Sequence, residues 1–130
     1  MIQIVLASSN PHKIKEINAI ANLKGINFIP VCKDFNPIEN GSTFIENSTI
    51  KASTASKLMS AYALADDTGL CIDVLNGRPG LHSARYAPTQ QEKITKILSE
   101  LNGTPKEERS ARFVCSMVLT TPQGEVVYST

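Results

Sequence analysis

No long apolar run is present in this sequence, and nothing in it approaches the length of a membrane span. The opening Met1-Ile2-Gln3-Ile4-Val5-Leu6 is too short for a signal peptide and lacks the basic start of one. Neither sign of charge dominates. Thirteen Lys and Arg stand against twelve Asp and Glu, a net charge of +1, so there is no bulk electrostatic case for nucleic-acid or membrane partners. Any anionic ligand must be held by local cations. Cysteine is scarce as well: Cys32, Cys71 and Cys115 are odd in number, far apart and without CxxC or Cys/His spacing. Each lies in or beside an apolar stretch, so they are expected to be small buried hydrophobes in a reducing compartment. Cytoplasm is the expected location. Repeats and low-complexity segments are absent too.

What is present is a chain of 130 residues with 42% hydrophobic and 19% charged content, expected to form a single domain over residues 1–130 with a real core. Ile2 to Ala7 fits a buried strand. Ser8-Ser9-Asn10-Pro11-His12-Lys13 follows, then Ile14, Ile17, Ile20, Ala21 and Leu23 at helical spacing. Asn10 suits the N-cap and Pro11 the first helical position. A helix N-terminus presents free N–H groups and a positive dipole, which suits phosphate. Lys13 is oddly placed there, because the same dipole disfavours a cation. Ile26 to Val31 reads as a second strand, and Cys32 to Gly41 as a loop containing Glu39, an acid without an evident local duty. Thr43-Phe44-Ile45-Glu46 is a capping box opening a helix to about Tyr62. On that helix Asn47 and Lys51 are four apart and share a face.

The next stretch is Leu64-Ala65-Asp66-Asp67-Thr68-Gly69-Leu70-Cys71-Ile72-Asp73-Val74. It reads as a strand that ends in a tight turn carrying two acids. Burying two unpaired carboxylates together is costly, so they should face water, a cation or a substrate. Locally, an acidic turn between strands and a functional site remain equal alternatives. Asn76-Gly77 marks a turn, and Arg78 to Pro88 reads as a loop with two Arg (Arg78 and Arg85) and His82. Thr89 to Glu92 is a second capping box, opening a helix that ends at Asn102-Gly103. Ala111 to Thr121 and Glu125 to Tyr128 read as a hairpin around Pro122-Gln123-Gly124. Strands alternating with helices predict an α/β fold whose sheet is mixed because of that hairpin.

Four segments together resemble the Ham1/RdgB-type nucleoside-triphosphate pyrophosphatases, or inosine triphosphatases: ASSNPHKIKEI (7–17), ENGSTFIENSTIKA (39–52), LADDTGLCIDVLNGRPGLHSARYA (64–87) and ARFVCSMVL (111–119). The resemblance implies an elongated mixed sheet flanked by helices, two lobes with a cleft between them, and a homodimer. It implies hydrolysis of ITP, dITP and XTP to the monophosphate and pyrophosphate with Mg²⁺. Asp67 looks like the general base. Glu39 and Asp67 look like the metal-binding acids, with Asp66 close by as a candidate second ligand. Asn10 and Lys13, in the turn with Ser8 and Ser9, resemble the triphosphate-holding loop. Lys51 resembles the cation of the second helix. Thr68 stands where the family usually has Ser, and Arg85 is a further candidate for substrate contact. Oxygen ligands suit Mg²⁺, and water attack on phosphorus needs an oriented base and charge neutralisation.

One departure bears on these expectations. Family members continue with an FGYD-like segment, a further Lys and a Ser-His-Arg motif, associated with closing the cleft over the purine. The resemblance therefore implies that the C-terminal, base-recognition part is missing here, with weak activity and poor discrimination against ATP or GTP as the expected result. Two rivals stand beside the enzyme: a nucleotide-binding remnant without turnover, and an aspartic protease built on the triplet Asp67-Thr68-Gly69.

Overall fold

The computed structural model describes residues 1–130. Its elements are β1 (Ile2–Leu6), α1 (Pro11–Ala21), β2 (Ile26–Pro30), α2 (Phe44–Met59), β3 (Ala63–Ile72), β4 (Arg78–Pro79), α3 (Gln90–Glu100), β5 (Ala111–Thr120) and β6 (Val126–Ser129). Short 3-10 turns cover Asn22–Lys24, Asp73–Leu75, Gly80–Arg85 and Lys106–Glu108. The six strands make one mixed sheet in the order β2-β1-β3-β5-β6, with β4 pairing on β3. β1 runs parallel to β2 and β3, while β3–β4 and β5–β6 are antiparallel. No helix is long and apolar enough to cross a membrane.

The chain divides into two compact units, Met1–Asp67 with Ser116–Thr130, and Thr68–Cys115. In the first, strand alternation sorts the side chains by face. Val5, Ala7, Ala63, Ala65 and Val118 join Ala52 and Ala55 of α2 in a buried cluster. Alanines on both partners let the α2 backbone approach the sheet closely. Polar groups within this layer are satisfied, as burial demands. Ser48 Oγ donates to the Ser116 carbonyl at 2.8 Å, the Ser56 and Thr120 hydroxyls bond each other, and Thr120 Oγ1 donates to the Ala52 carbonyl at 3.0 Å. The alternate residues Leu6, Leu64 and Met117 line a groove of about 280 Å³ together with Ile17 and Ile20 of α1.

In the second unit Ile72, Leu75 and Leu101 form the core, with Leu70 and Ile97 packed on it. Glu100 at the end of α3 accepts hydrogen bonds from Tyr86 Oη and, at 3.1 Å, from Arg78 Nη1. Lys96 lies over the Tyr86 ring at 3.9 Å, a cation–π contact.

Most expected elements form, with four corrections. The acidic stretch is no turn. β3 runs unbroken from Ala63 to Ile72, and Gly69 is not among the residues of positive φ. Strand-favouring Leu70, Cys71 and Ile72 continue the ladder through the acids. Cys115 is exposed rather than buried, because from Ser116 onward the buried row of β5 is Ser116, Val118 and Thr120 and Cys115 belongs to the alternate row. The segment after Asn76-Gly77 is ordered as β4 and a 3-10 turn, entered through a cis Arg78–Pro79 bond. Finally, α2 stops at Met59, where Ser60 takes the left-handed conformation at φ 50°.

Candidate active site

The first βα connection is built around Asn10. Its side chain accepts from the His12 N–H at 3.0 Å, capping α1, and Ser8 Oγ accepts from the Asn10 N–H at 3.2 Å. Pro11 fills the first helical position, where no N–H is needed. Ser9 is exposed beside them. Lys13, in the first turn, meets Asp66 of β3: Nζ donates to both carboxylate oxygens, at 2.8 and 2.9 Å. That ion pair offsets the repulsion between the ammonium and the positive end of the α1 dipole.

Asp67 is the next residue of the same strand, so its side chain leaves the sheet on the α2 side. Lys51 of α2 lies between two acids there, 3.8 Å from Asp67 Oδ1 and 3.6 Å from Glu39 Oε1. Its Nζ also donates to the Asp66 carbonyl. The loop bearing Glu39 is tied to the start of α2. Gly41 N–H donates to Asn47 Oδ1 at 2.8 Å, Ser42 N–H to the Glu46 carboxylate, and Glu46 N–H to Thr43 Oγ1 at 3.1 Å. Glu46 is thus a capping residue, engaged with its own helix start.

Asp67 is 14% exposed, and Oδ2 is buried with no hydrogen-bond partner. Burial raises its carboxyl above the ordinary range, and Glu39 and Asp66 add to the effect, while Lys51 and the Asn47 side chain oppose it. An orphaned buried carboxylate oxygen costs on the order of 1–3 kcal/mol unless something binds it. A cation satisfies that need, and the donor set of Glu39 and Asp67 fits Mg²⁺, which takes one or two carboxylates and keeps waters or substrate phosphates as its other ligands. No cluster of three or more His, Cys, Asp or Glu offers a closed protein cage instead.

Two clusters therefore form among the candidate residues: Lys13 with Asp66, and Glu39 with Lys51 and Asp67. Thr68 is exposed on β3, and Arg85 is exposed at the end of the 3-10 turn Gly80–Arg85 in the second unit. The Ham1 family model matches residues 4–130.

The chain belongs to the Ham1 family. It is 38% identical over 130 residues to the dITP/XTP pyrophosphatase of Synechocystis sp., covering 100% of this chain and 66% of that relative. It is 41% identical over 129 residues to the dITP/XTP pyrophosphatase of Geobacillus kaustophilus, covering 94% and 63%. The structure of a HAM1 protein from Coxiella burnetii superposes with a TM-score of 0.87 at 39% identity, over 100% of this chain and 68% of that one. The chain spans about two thirds of the length of these relatives. Membership in an α/β Ham1 family removes the aspartic-protease reading of Asp67-Thr68-Gly69.

Within this Ham1 chain, two residues to which the sequence assigns no role lie beside the Asp67 cluster. Asn47 is 5% exposed, and its spacing to Lys51 was the available signal. Gly41 is the other. A Cβ there would meet Asn47 Oδ1 and Glu46 Cβ at 2.7 Å each, which no local sequence signal reveals.

Proposed function

We propose that this chain carries the phosphate-handling centre of a Mg²⁺-dependent pyrophosphatase acting on the non-standard purine triphosphates ITP, dITP and XTP. The observation that carries the reading is the buried, partnerless Oδ2 of Asp67 beside Lys51 and Glu39. Asp67 takes the proton of a water that attacks the α-phosphorus. The bond from that phosphorus to the α–β bridging oxygen breaks, and pyrophosphate leaves. Lys51 compensates charge beside the base, and Lys13 with the Ser8–Asn10 turn receives phosphate oxygens; Thr68 and Arg85 are further substrate contacts. Glu39 and Asp67 would hold Mg²⁺, which when bound neutralises charge on the triphosphate. Asp66 serves by holding Lys13. A homodimer in the cytoplasm, without nucleic-acid or membrane partners, belongs to the same proposal.

Pyrophosphate release across ITP, XTP, GTP and ATP tests it. The expected result is Mg²⁺-dependent release from ITP and XTP that Asp67→Asn abolishes with the fold intact. Binding of ITP with Mg²⁺ but no release would identify the nucleotide-binding remnant instead, and normal turnover by Asp67→Asn would sink the assignment of the base.

A further inference from the structure

Asn47 lies near the start of α2, whose N-cap is Thr43, and is 5% exposed. Its Oδ1 accepts from the Gly41 N–H at 2.8 Å, and the amide lies beside the Asp67 carboxylate, where it favours the ionised form. A backbone donor on one side and a carboxylate on the other allow only one orientation of the amide, with its NH₂ toward Asp67. The contact to the loop is close. Gly41 is tolerated there because a Cβ would come within 2.7 Å of that same Oδ1. Glu39, two residues before Gly41, stands 3.6 Å from Lys51, one helical turn beyond Asn47. One buried amide thus bonds the backbone of the loop that carries one acid and lies beside the side chain of the other.

We propose that Asn47 is a positioning residue that sets Glu39 and Asp67 relative to each other, fixing the Asp67 carboxylate so that Oδ2 stays unengaged for a cation or a water. The inference rests on the pyrophosphatase reading for its catalytic consequence. Its geometric part does not. An amide donating to one side of a carboxylate restricts rotation of that carboxylate, and outer-shell partners of this kind typically change metal affinity or activity by about 10–100-fold when removed. A purely structural role would lower thermal stability and leave turnover per folded molecule unchanged.

Two variants separate the arms. Asn47→Ala removes both. Asn47→Asp keeps an acceptor for Gly41 and the side-chain shape but removes the donor to Asp67. Three measurements apply to the full chain: hydrogen exchange of the Gly41 amide, Mg²⁺ titration by calorimetry, and pyrophosphate release from ITP. In Asn47→Ala, Gly41 exchange should speed up at least 10-fold, Mg²⁺ affinity fall about 10-fold, and kcat fall about 10–100-fold with a smaller change in KM. In Asn47→Asp, Gly41 should keep its protection while kcat still falls. Unchanged Gly41 protection in Asn47→Ala overturns the proposal. So does Mg²⁺ binding to the native chain no tighter than to Asn47→Ala, or native kcat in Asn47→Asp. If the native chain releases no pyrophosphate, the pyrophosphatase reading fails, and the exchange and Mg²⁺ measurements still decide the role of Asn47.

Discussion

Asp66 and Asp67 are consecutive in β3, and their carboxylates leave the strand toward different helices. Asp66 is gripped by Lys13 of α1 at 2.8 Å, and Asp67 faces Lys51 of α2 at 3.8 Å. The two acids of the doublet therefore have separate duties, and their substitutions should separate in kinetics. Asp67→Asn removes the general base of the proposed reaction and should lower kcat on ITP by about 10²–10⁴-fold. Asp66→Asn releases Lys13 and should mainly raise KM. With Lys13→Met already in place, Asp66→Asn should add little, since the pair acts as one unit. Steady-state kinetics of these four variants against the native chain checks this, and equal kcat losses at the two acids would refute it.

The sequence carried most of the fold because its local signals agree with one another. The Asn10 cap with Pro11, the Thr43 and Thr89 capping boxes and the Asn102-Gly103 stop all appear where expected. The acidic stretch was harder to read, because Gly69 suggests a turn while strand pairing on β1 and β5 overrides it. The alternation that splits Asp66 from Asp67 follows only once the strand is known to be continuous. Helical spacing puts Asn47 on the face of Lys51 but gives it no role, because its bond to the Gly41 N–H depends on how the preceding loop folds back on α2.

Metal dependence should follow from the two-carboxylate donor set. EDTA should abolish pyrophosphate release and added Mg²⁺ restore it. Glu39→Gln removes one charged oxygen donor and should raise the Mg²⁺ concentration for half-maximal rate at least 10-fold. Release that persists in EDTA would remove the cation from the reaction.

Asp67 should also trade stability for function. Its folded-state pKa lies above the unfolded value because burial outweighs Lys51 and Asn47. The folded state therefore holds that proton more firmly, and stability declines as pH rises through the interval between the two values. The penalty is absent below the unfolded pKa and complete above the folded one. In metal-free protein, Asp67→Asn should accordingly be more stable than the native chain at pH 7, with the gain shrinking as pH falls through the carboxylate range. Thermal melts at a series of pH values in EDTA measure it. A variant destabilised equally at pH 7 and pH 3 would contradict this account.

The two capping threonines provide a paired control. Thr43 Oγ1 accepts from the Glu46 N–H and Thr89 Oγ1 from the Glu92 N–H, each at 3.1 Å, and both residues are exposed. Their local physics is the same, so Thr43→Ala and Thr89→Ala should each cost about 1 kcal/mol of stability. Their surroundings differ. Thr43 directly follows the Glu39–Ser42 loop, whose Gly41 and Ser42 N–H groups are bound by Asn47 and Glu46 of the same helix start. Fraying that start should loosen Glu39 and lower Mg²⁺ affinity. Thr89 caps α3, which carries none of the residues of the Asp67 cluster. Calorimetric Mg²⁺ titration at a temperature where both variants are fully folded should show weakened binding for Thr43→Ala alone. Equal affinities in the two variants would mean that the loop is held in place by Lys51 and Asn47 without help from the helix cap.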